Sequence, residues 1–212
     1  MSWARLAVNS SLLILLICLT GCAVGNQYRY QSEDVGLPLD VRNLRVAIGV
    51  GVKDSRSYVV NGKKPDTFVG LQRGSFGNPF NVTTASKHPF ASDVAEVLVD
   101  MIGRYGYDVE LKSHLLDLET FRRELKSKEL SRAVFLNIKE WKTDIYATVT
   151  LQYDLELLVF DAEGSVMARS ALSGDEGIGG YTLNGNGERA SQALGIKLSY
   201  LFNNPEVKAA LN

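Results

Sequence analysis

The second half of the chain alternates apolar and polar side chains in several separate segments. The longest is 147–159, where odd positions are apolar and even positions are mostly polar, and shorter examples lie at 107–111, 134–138 and 166–172. Alternation of this kind is typical of strands with one face on a core and the other in water. The turn residues at 161–164 predict that the last three strands in chain order form an antiparallel meander.

An earlier strand is predicted at 44–52, where apolar side chains again occupy alternate positions. Gly49 and Gly51 lie on its other face. Glycine within a strand often marks the close approach of another element, so we expect a helix or similar element to pack there. The strand at 134–138 is expected to end in a turn at 142–144.

Helical spacing of apolar residues predicts three helices. The first covers about 90–105, and the second covers about 118–128 with Asp117 as its N-cap. The third, at 189–203, closes the domain. These elements predict a single domain of the α/β (α+β) class over 44–212, with a mixed sheet of about five strands packed by two to three helices.

The segment 53–89 has no sustained periodicity and contains several glycines and prolines. Short strands at 58–60 and 67–71, arranged as an irregular hairpin, are the expected structure. Loops of this length are commonly functional. We therefore predict an interaction surface formed by its aromatic side chains, Tyr58, Phe68, Phe76 and Phe80. The alternative is that these rings fold back over the sheet as a lid.

The N-terminus has the organisation of a secretory signal, with Arg5 followed by an apolar run at 12–19. The run is far shorter than the roughly 20 residues that a membrane-spanning helix needs. It ends in Leu19-Thr20-Gly21-Cys22, which resembles the lipobox of bacterial lipoproteins. The resemblance implies cleavage of a signal peptide, residues 1–21, and acylation of Cys22, which would anchor the protein in a membrane.

Residues 22–43 are predicted as the lipidated cysteine and a flexible tether, because the segment is polar and aperiodic. Fully extended, such a tether would span up to roughly 70 Å. Ala23, rather than aspartate, follows the cysteine, and this favours the outer membrane. Cys18 and Cys22 are the two cysteines, so no disulfide is expected within the processed domain.

Charge and candidate catalytic groups add little to this description. With 23 basic and 24 acidic side chains, the chain has no excess positive charge with which to bind nucleic acid or anionic lipid. His88 and His114 are separate loop histidines and suggest no metal site. The glycine-rich segment 174–187, predicted as a surface loop, lacks the lysine of a phosphate-binding loop. We therefore predict no enzymatic activity, no metal and no cofactor.

The whole chain resembles the YajG-like family of bacterial outer-membrane lipoproteins. The resemblance rests on the lipobox and on features spread along the domain: Asp54-Ser55-Arg56, Val69-Gly70, the segment Arg104–Val109, the strand that contains Tyr153, the turn at Asp161 and the closing helix. It implies a mixed α/β lipoprotein on the periplasmic face of the outer membrane. Asp54 and Arg56 are interpreted as a structural ion pair across a turn, with ligand binding as the alternative.

The functional hypothesis from the sequence is a membrane-anchored envelope lipoprotein that acts through protein or envelope contacts. Its expected partners are the membrane, through the acyl chains on Cys22, and an envelope protein, but not nucleic acid. The alternative is a periplasmic module that binds a small ligand with the 53–89 loop.

Overall fold

The computed structural model describes residues 26–32, 36–40, 46–74, 76–182 and 184–211. The predicted signal peptide, its lipobox and the acylation site Cys22 therefore lie outside the described residues. So do the first residues of the predicted strand at 44–52.

Within the described residues, a single mixed sheet contains eight strands. They are β1 (Gln27–Tyr28), β2 (Val46–Asp54), β3 (Phe68–Arg73), β4 (Pro79–Thr84), β5 (Tyr107–Ser113), β6 (Arg132–Ile145), β7 (Thr148–Asp161) and β8 (Val166–Gly180). The long strand β6 lies at the centre. One of its edges pairs with β7 over the full length, while the other pairs with β2 at 132–138 and with β3 at 143–145.

Five helices accompany the sheet in the same described residues: α1 (Ser57–Val60), α2 (Phe90–Gly103), α3 (Leu118–Ser127), α4 (Asn186–Phe202) and α5 (Pro205–Leu211). The apolar sides of α2, α4 and α5 pack with the sheet into the main hydrophobic core. Helix α3 covers the other face, where Phe121 and Leu125 form a smaller apolar cluster with Phe135 and Phe160. Asp117 caps α3 as predicted, accepting a 2.9 Å hydrogen bond from the Thr120 amide.

The predicted fold class is confirmed, and so is the antiparallel meander, which is formed by β6, β7 and β8. The sheet has more strands than the five expected, partly because 53–89 supplies the antiparallel hairpin of β3 and β4. The close approach predicted at the strand glycines is also present. A Cβ on Gly51 would lie 2.5 Å from the Phe135 ring and 2.9 Å from the Phe121 ring of α3.

Two segments predicted as irregular are instead strand. Residues 142–144 continue β6, and 174–180 continue β8 rather than forming a loop. Both pair with the first half of β7, as Thr143 opposite Leu151 and Gly177 opposite Thr150 show. Pairing with a strand of 14 residues therefore outweighs the local turn and glycine preferences.

The tether predicted at 22–43 is wrong for the parts that the structure describes. Tyr28, Tyr30, Leu37 and Leu39 are buried in the main core. Strand β1 pairs in parallel with β4, where the Thr83 amide donates to the Asn26 carbonyl at 3.1 Å. The sequence does not reveal this packing, because the few buried side chains of the segment follow no regular period.

The polar face of β7 is also more enclosed than its alternation predicts. Glu156 is buried between two cations, with its carboxylate 2.8 Å from Lys139 Nζ and paired on the other side with Arg169. Burial alone would raise the pKa of Glu156, but these cations outweigh burial and lower it. Leu155, on the opposite face, is fully buried.

Candidate functional site: a buried arginine and an exposed aromatic end

Arg56 is a fully buried cation beside the middle of β6. It lies between the stretch of β6 that pairs with β2 and the stretch that pairs with β3. Between their two stretches of pairing with β6, the middle of that strand needs other partners for its backbone. The guanidinium group of Arg56 supplies one, because Nη1 donates to the Trp141 carbonyl at 3.1 Å. The same nitrogen donates to the Phe68 carbonyl at 2.6 Å, so Arg56 joins β3 to β6.

The charge of Arg56 is balanced by Asp54 in a bidentate ion pair. Arg56 Nε lies 2.8 Å from Asp54 Oδ1, and Nη2 lies 2.5 Å from Oδ2. Burial alone would lower the pKa of Arg56, but the hydrogen bonds and charge of Asp54 outweigh burial and raise it. The arginine therefore stays charged, and it is held by protein groups on every guanidinium nitrogen.

Aromatic rings enclose the guanidinium group. Its central carbon lies 5.0 Å from the centre of the Phe90 ring and 5.6 Å from that of Tyr58, within the range of cation–π contacts. Tyr58 also donates from its hydroxyl to Glu140 at 2.5 Å. Burial raises the pKa of Tyr58. The positive charge of Arg56 opposes this rise, and the hydrogen bond and charge of Glu140 add to it. Arg56 is thus enclosed by groups of the protein itself. We call Arg56 with Asp54, Tyr58, Phe90 and Trp141 the Arg56 centre and assign it a structural role.

The same centre holds the N-terminal segment in place. Trp141 Nε1 donates to the Tyr30 hydroxyl at 2.9 Å, and Tyr30 packs edge-on against Phe90 with ring centres 4.9 Å apart. Tyr30, which belongs to the described segment nearest the predicted acylation site, thus contacts two residues, Trp141 and Phe90, that themselves contact Arg56.

The predicted interaction surface divides into two parts. Phe68 is buried and packs edge-to-face on Tyr58, with ring centres 5.4 Å apart, so its prediction as a surface residue is wrong. Tyr58 lies in α1 rather than in a strand and is half-buried. Phe76 and Phe80, in contrast, are exposed at the tip of the β3–β4 hairpin. The physical reason is that Phe68 lies beside Arg56, whereas Phe80 lies level with Ile145, the last residue of β6, and Phe76 lies in the turn beyond it.

Two further exposed aromatic residues lie at this end of the sheet. Tyr146 is in the β6–β7 turn, and Tyr181 directly follows β8, donating from its amide to the Ala147 carbonyl at 3.2 Å. Residue pairing brings the strand ends together: Gln72 lies opposite both Phe80 and Ile145, and Thr148 lies opposite Gly180. We call Phe76, Phe80, Tyr146 and Tyr181 the aromatic end. The sequence interpretation missed Tyr146 and Tyr181, because their position depends on strand register.

A polar cavity of about 460 Å³ lies between the N-terminal segment and the start of α4. Its lining is mainly amide side chains with one cation and one anion, and it includes Asn26, Gln27, Gln31, Asn184, Arg29 and Glu188. No residue that lines it belongs to 53–89. The ligand-binding alternative predicted from the sequence uses that loop, so this cavity provides a different location for such a role.

The other candidate groups do not converge. Within the described ranges, no cluster of three or more histidine, cysteine or acidic side chains has the geometry to hold a metal ion. His88 is exposed and His114 half-buried, in separate loops. Glu176 forms an ion pair with Lys197 at 2.6 Å, and Asp175 accepts from Gln152. Among the helices that the structure describes, none is long and apolar enough to cross a bilayer.

Neither a protein-family model nor a curated protein matches the chain. Solved structures of similar fold include protein XCC0632 from Xanthomonas campestris, of the DUF330 family. It is 11% identical, with 82% of this chain and 94% of that chain covered and a TM-score of 0.49. The PelC dodecamer from Paraburkholderia phytofirmans is 16% identical, with 78% and 92% covered and a TM-score of 0.41. Lipoprotein GNA1162 from Neisseria meningitidis is 13% identical, with 76% and 96% covered and a TM-score of 0.32. Similarity at this level carries no functional argument.

Proposed function

We propose that this chain is a lipid-anchored envelope lipoprotein, similar to YajG-like proteins, on the periplasmic face of the outer membrane. The observation that carries the proposal is the lipobox at Cys22, which ends the N-terminal apolar segment. An apolar segment too short to span the bilayer, followed at once by this cysteine, supports export and acylation. Several acyl chains on one cysteine suffice for stable anchoring.

The anchor holds the domain close to the lipid. Three residues separate Cys22 from Asn26, so even a fully extended connection of four steps reaches at most about 14 Å. Asn26 is itself fixed by its hydrogen bond to β4. The protein therefore acts at the membrane surface rather than at the end of a long tether.

We propose that the protein acts through contacts rather than catalysis. The buried ionic centre supports this, because the guanidinium donors of Arg56 are used by Asp54, Phe68, Trp141 and Asp66. A group that is enclosed and satisfied in this way stabilises a fold and has no free donor for a substrate.

The experiment is a comparison of Cys22→Ser with Cys18→Ser in cells fed a labelled fatty acid. Serine cannot form the thioether on which acylation depends, so Cys22→Ser should lose the label and remain as an uncleaved precursor or become soluble. Cys18 lies within the signal segment, so Cys18→Ser should be labelled and processed normally. Normal labelling and membrane retention of Cys22→Ser would contradict the proposal.

A second candidate function is the binding of a small polar ligand, favoured by the cavity of about 460 Å³ beside α4. Its size is within the range of small-molecule sites, although its lining is more polar than most. Native mass spectrometry of protein purified from its own membranes should then show a bound small molecule that is lost in Arg29→Met. Absence of any bound mass in the wild-type protein would count against this function.

A further inference from the structure

Exposed aromatic side chains are concentrated at one end of this sheet. Among large apolar side chains that the described residues expose, the aromatics are Phe76 (95% exposed), Phe80 (37%), Tyr146 (62%), Tyr181 (40%) and Tyr200 (60%). All except Tyr200, which lies on α4, belong to the aromatic end. Its members come from three separate parts of the chain, so local sequence does not explain their grouping. A grouped exposed apolar surface is typical of a binding surface.

The N-terminal strand enters the fold from the same end. Strand β1 is parallel to β4, with Gln27 opposite Thr83 and Tyr28 opposite Thr84. Because the strands are parallel, β1 and β4 both run away from the hairpin tip. Going backwards along β1, from Tyr28 to Gln27, therefore leads towards Phe80 near the start of β4. Phe80 lies three residues before Thr83, which is about 10 Å along the strand.

The acyl chains must therefore enter a bilayer close to the aromatic end. Cys22 lies within about 14 Å of Asn26, and Asn26 is held beside Thr83. The opposite end of the sheet is farther away. By register Asn26 lies level with Leu151, which is ten residues, or about 33 Å, before the far end of β7 at Asp161. An anchor this short cannot bring the far end to the lipid unless the domain lies flat.

We propose that the aromatic end docks on the surface of the bilayer in which the acyl chains of Cys22 are embedded, so that the sheet stands upright on the membrane. This inference rests on the proposed acylation. Aromatic rings partition into the interface between headgroups and hydrocarbon, where tyrosine keeps its hydroxyl in the polar layer.

The charges around the aromatic end agree with a contact of this kind. Arg73 is paired with Asp144 at 2.6 Å, and the nearby β8 carboxylate of Asp175 accepts from Gln152 at 2.9 Å. The positive charge of Arg73 is thus balanced locally. Arg189 also lies at this end, where it donates to the Gly180 carbonyl. Docking is then driven mainly by the aromatic rings and the anchor.

The test places a tryptophan at either end of the full acylated protein. Phe76→Trp and Glu163→Trp are each reconstituted in vesicles of phosphatidylethanolamine and phosphatidylglycerol that contain lipids brominated near the headgroup. Glu163 is exposed in the β7–β8 turn, at the far end of the sheet. The wild-type spectrum, which reports buried Trp141, is subtracted from both.

We expect bromine to quench most of the fluorescence of Phe76→Trp and to leave that of Glu163→Trp unchanged. Tyr146→Trp should also be quenched, and the quenching should be lost when Phe76→Ser and Phe80→Ser are added. Equal quenching at the two ends would overturn the inference, since the domain would then lie flat or tumble. No quenching of Phe76→Trp would also overturn it, and a blue-shifted, unquenched emission would assign the aromatic end to a protein contact.

Mass spectrometry of the same samples separates this inference from the proposed function. If the N-terminal peptide carries acyl chains but the tip is not quenched, the anchor stands and docking is wrong. If no acyl chains are found on Cys22, the proposed function itself is wrong.

Discussion

The segment 53–89 contains two groups of aromatic residues with opposite environments. Tyr58 and Phe68 lie beside the buried Arg56, while Phe76 and Phe80 lie in water at the tip of the hairpin. The residue types are similar, and neither group follows a helical or strand period over a long stretch. The difference comes from what each group faces in the folded chain.

The comparison shows how a buried cation organises the residues around it. Arg56 needs a counter-ion, carbonyl acceptors and aromatic faces, and Asp54, Phe68, Trp141 and Phe90 supply them. Phe76 and Phe80 at the hairpin tip do not face this cation, and the turn of the hairpin extends beyond the end of β6. Its rings are therefore available for a contact outside the domain.

The largest expected effect comes from removing the cation. Arg56→Met should lower the free energy of unfolding by about 5 kcal/mol, because it leaves the Asp54 carboxylate unpaired and takes donors from the Phe68 and Trp141 carbonyls. Urea titration followed by circular dichroism measures this. The control is Arg73→Met, which breaks the exposed Arg73–Asp144 pair and should leave the urea midpoint almost unchanged, because an ion pair in water contributes little. Similar losses in the two variants would mean that Arg56 is not a structural centre.

A smaller effect is expected from truncating one ring of each group. Phe68→Ala should cost about 3 kcal/mol, the lower end of the range for a buried phenylalanine, because its ring packs on Tyr58 and Lys64 outside the main core. Phe76→Ala should change the free energy of unfolding by less than about 0.5 kcal/mol. If Phe76→Ala proves as destabilising as Phe68→Ala, the hairpin tip is part of the core and the contrast between the two groups fails.

The smallest effect is expected from a single hydroxyl. Tyr58→Phe keeps the ring beside Arg56 but removes the hydrogen bond to Glu140, so it should cost about 1 kcal/mol. The exposed Tyr146 provides the matched control, and Tyr146→Phe should leave the urea midpoint unchanged. A neutral Tyr58→Phe would show that only the ring of Tyr58 matters to the Arg56 centre.

The sequence determined the strongly periodic elements of this protein and its proposed membrane address. Alternation over 147–159 predicts β7 and its fully buried Leu155, and apolar spacing predicts α2, because both elements bury one side in a period that local sequence records. Asp117 indicates the start of α3 for a similarly local reason, since it caps an amide three residues later. The lipobox is a contiguous motif and needs no structure to be recognised.

Tertiary structure alone decided the features that depend on distant partners. The extension of β6 through 142–144 follows from its pairing with β7, and the burial of Tyr30 follows from its contacts with Trp141 and Phe90. The aromatic end is of the same kind, because register brings Phe80, Tyr146 and Tyr181 to one edge from separate parts of the chain. A local period cannot record such contacts, since their free energy comes from groups that are neighbours only after the chain has folded.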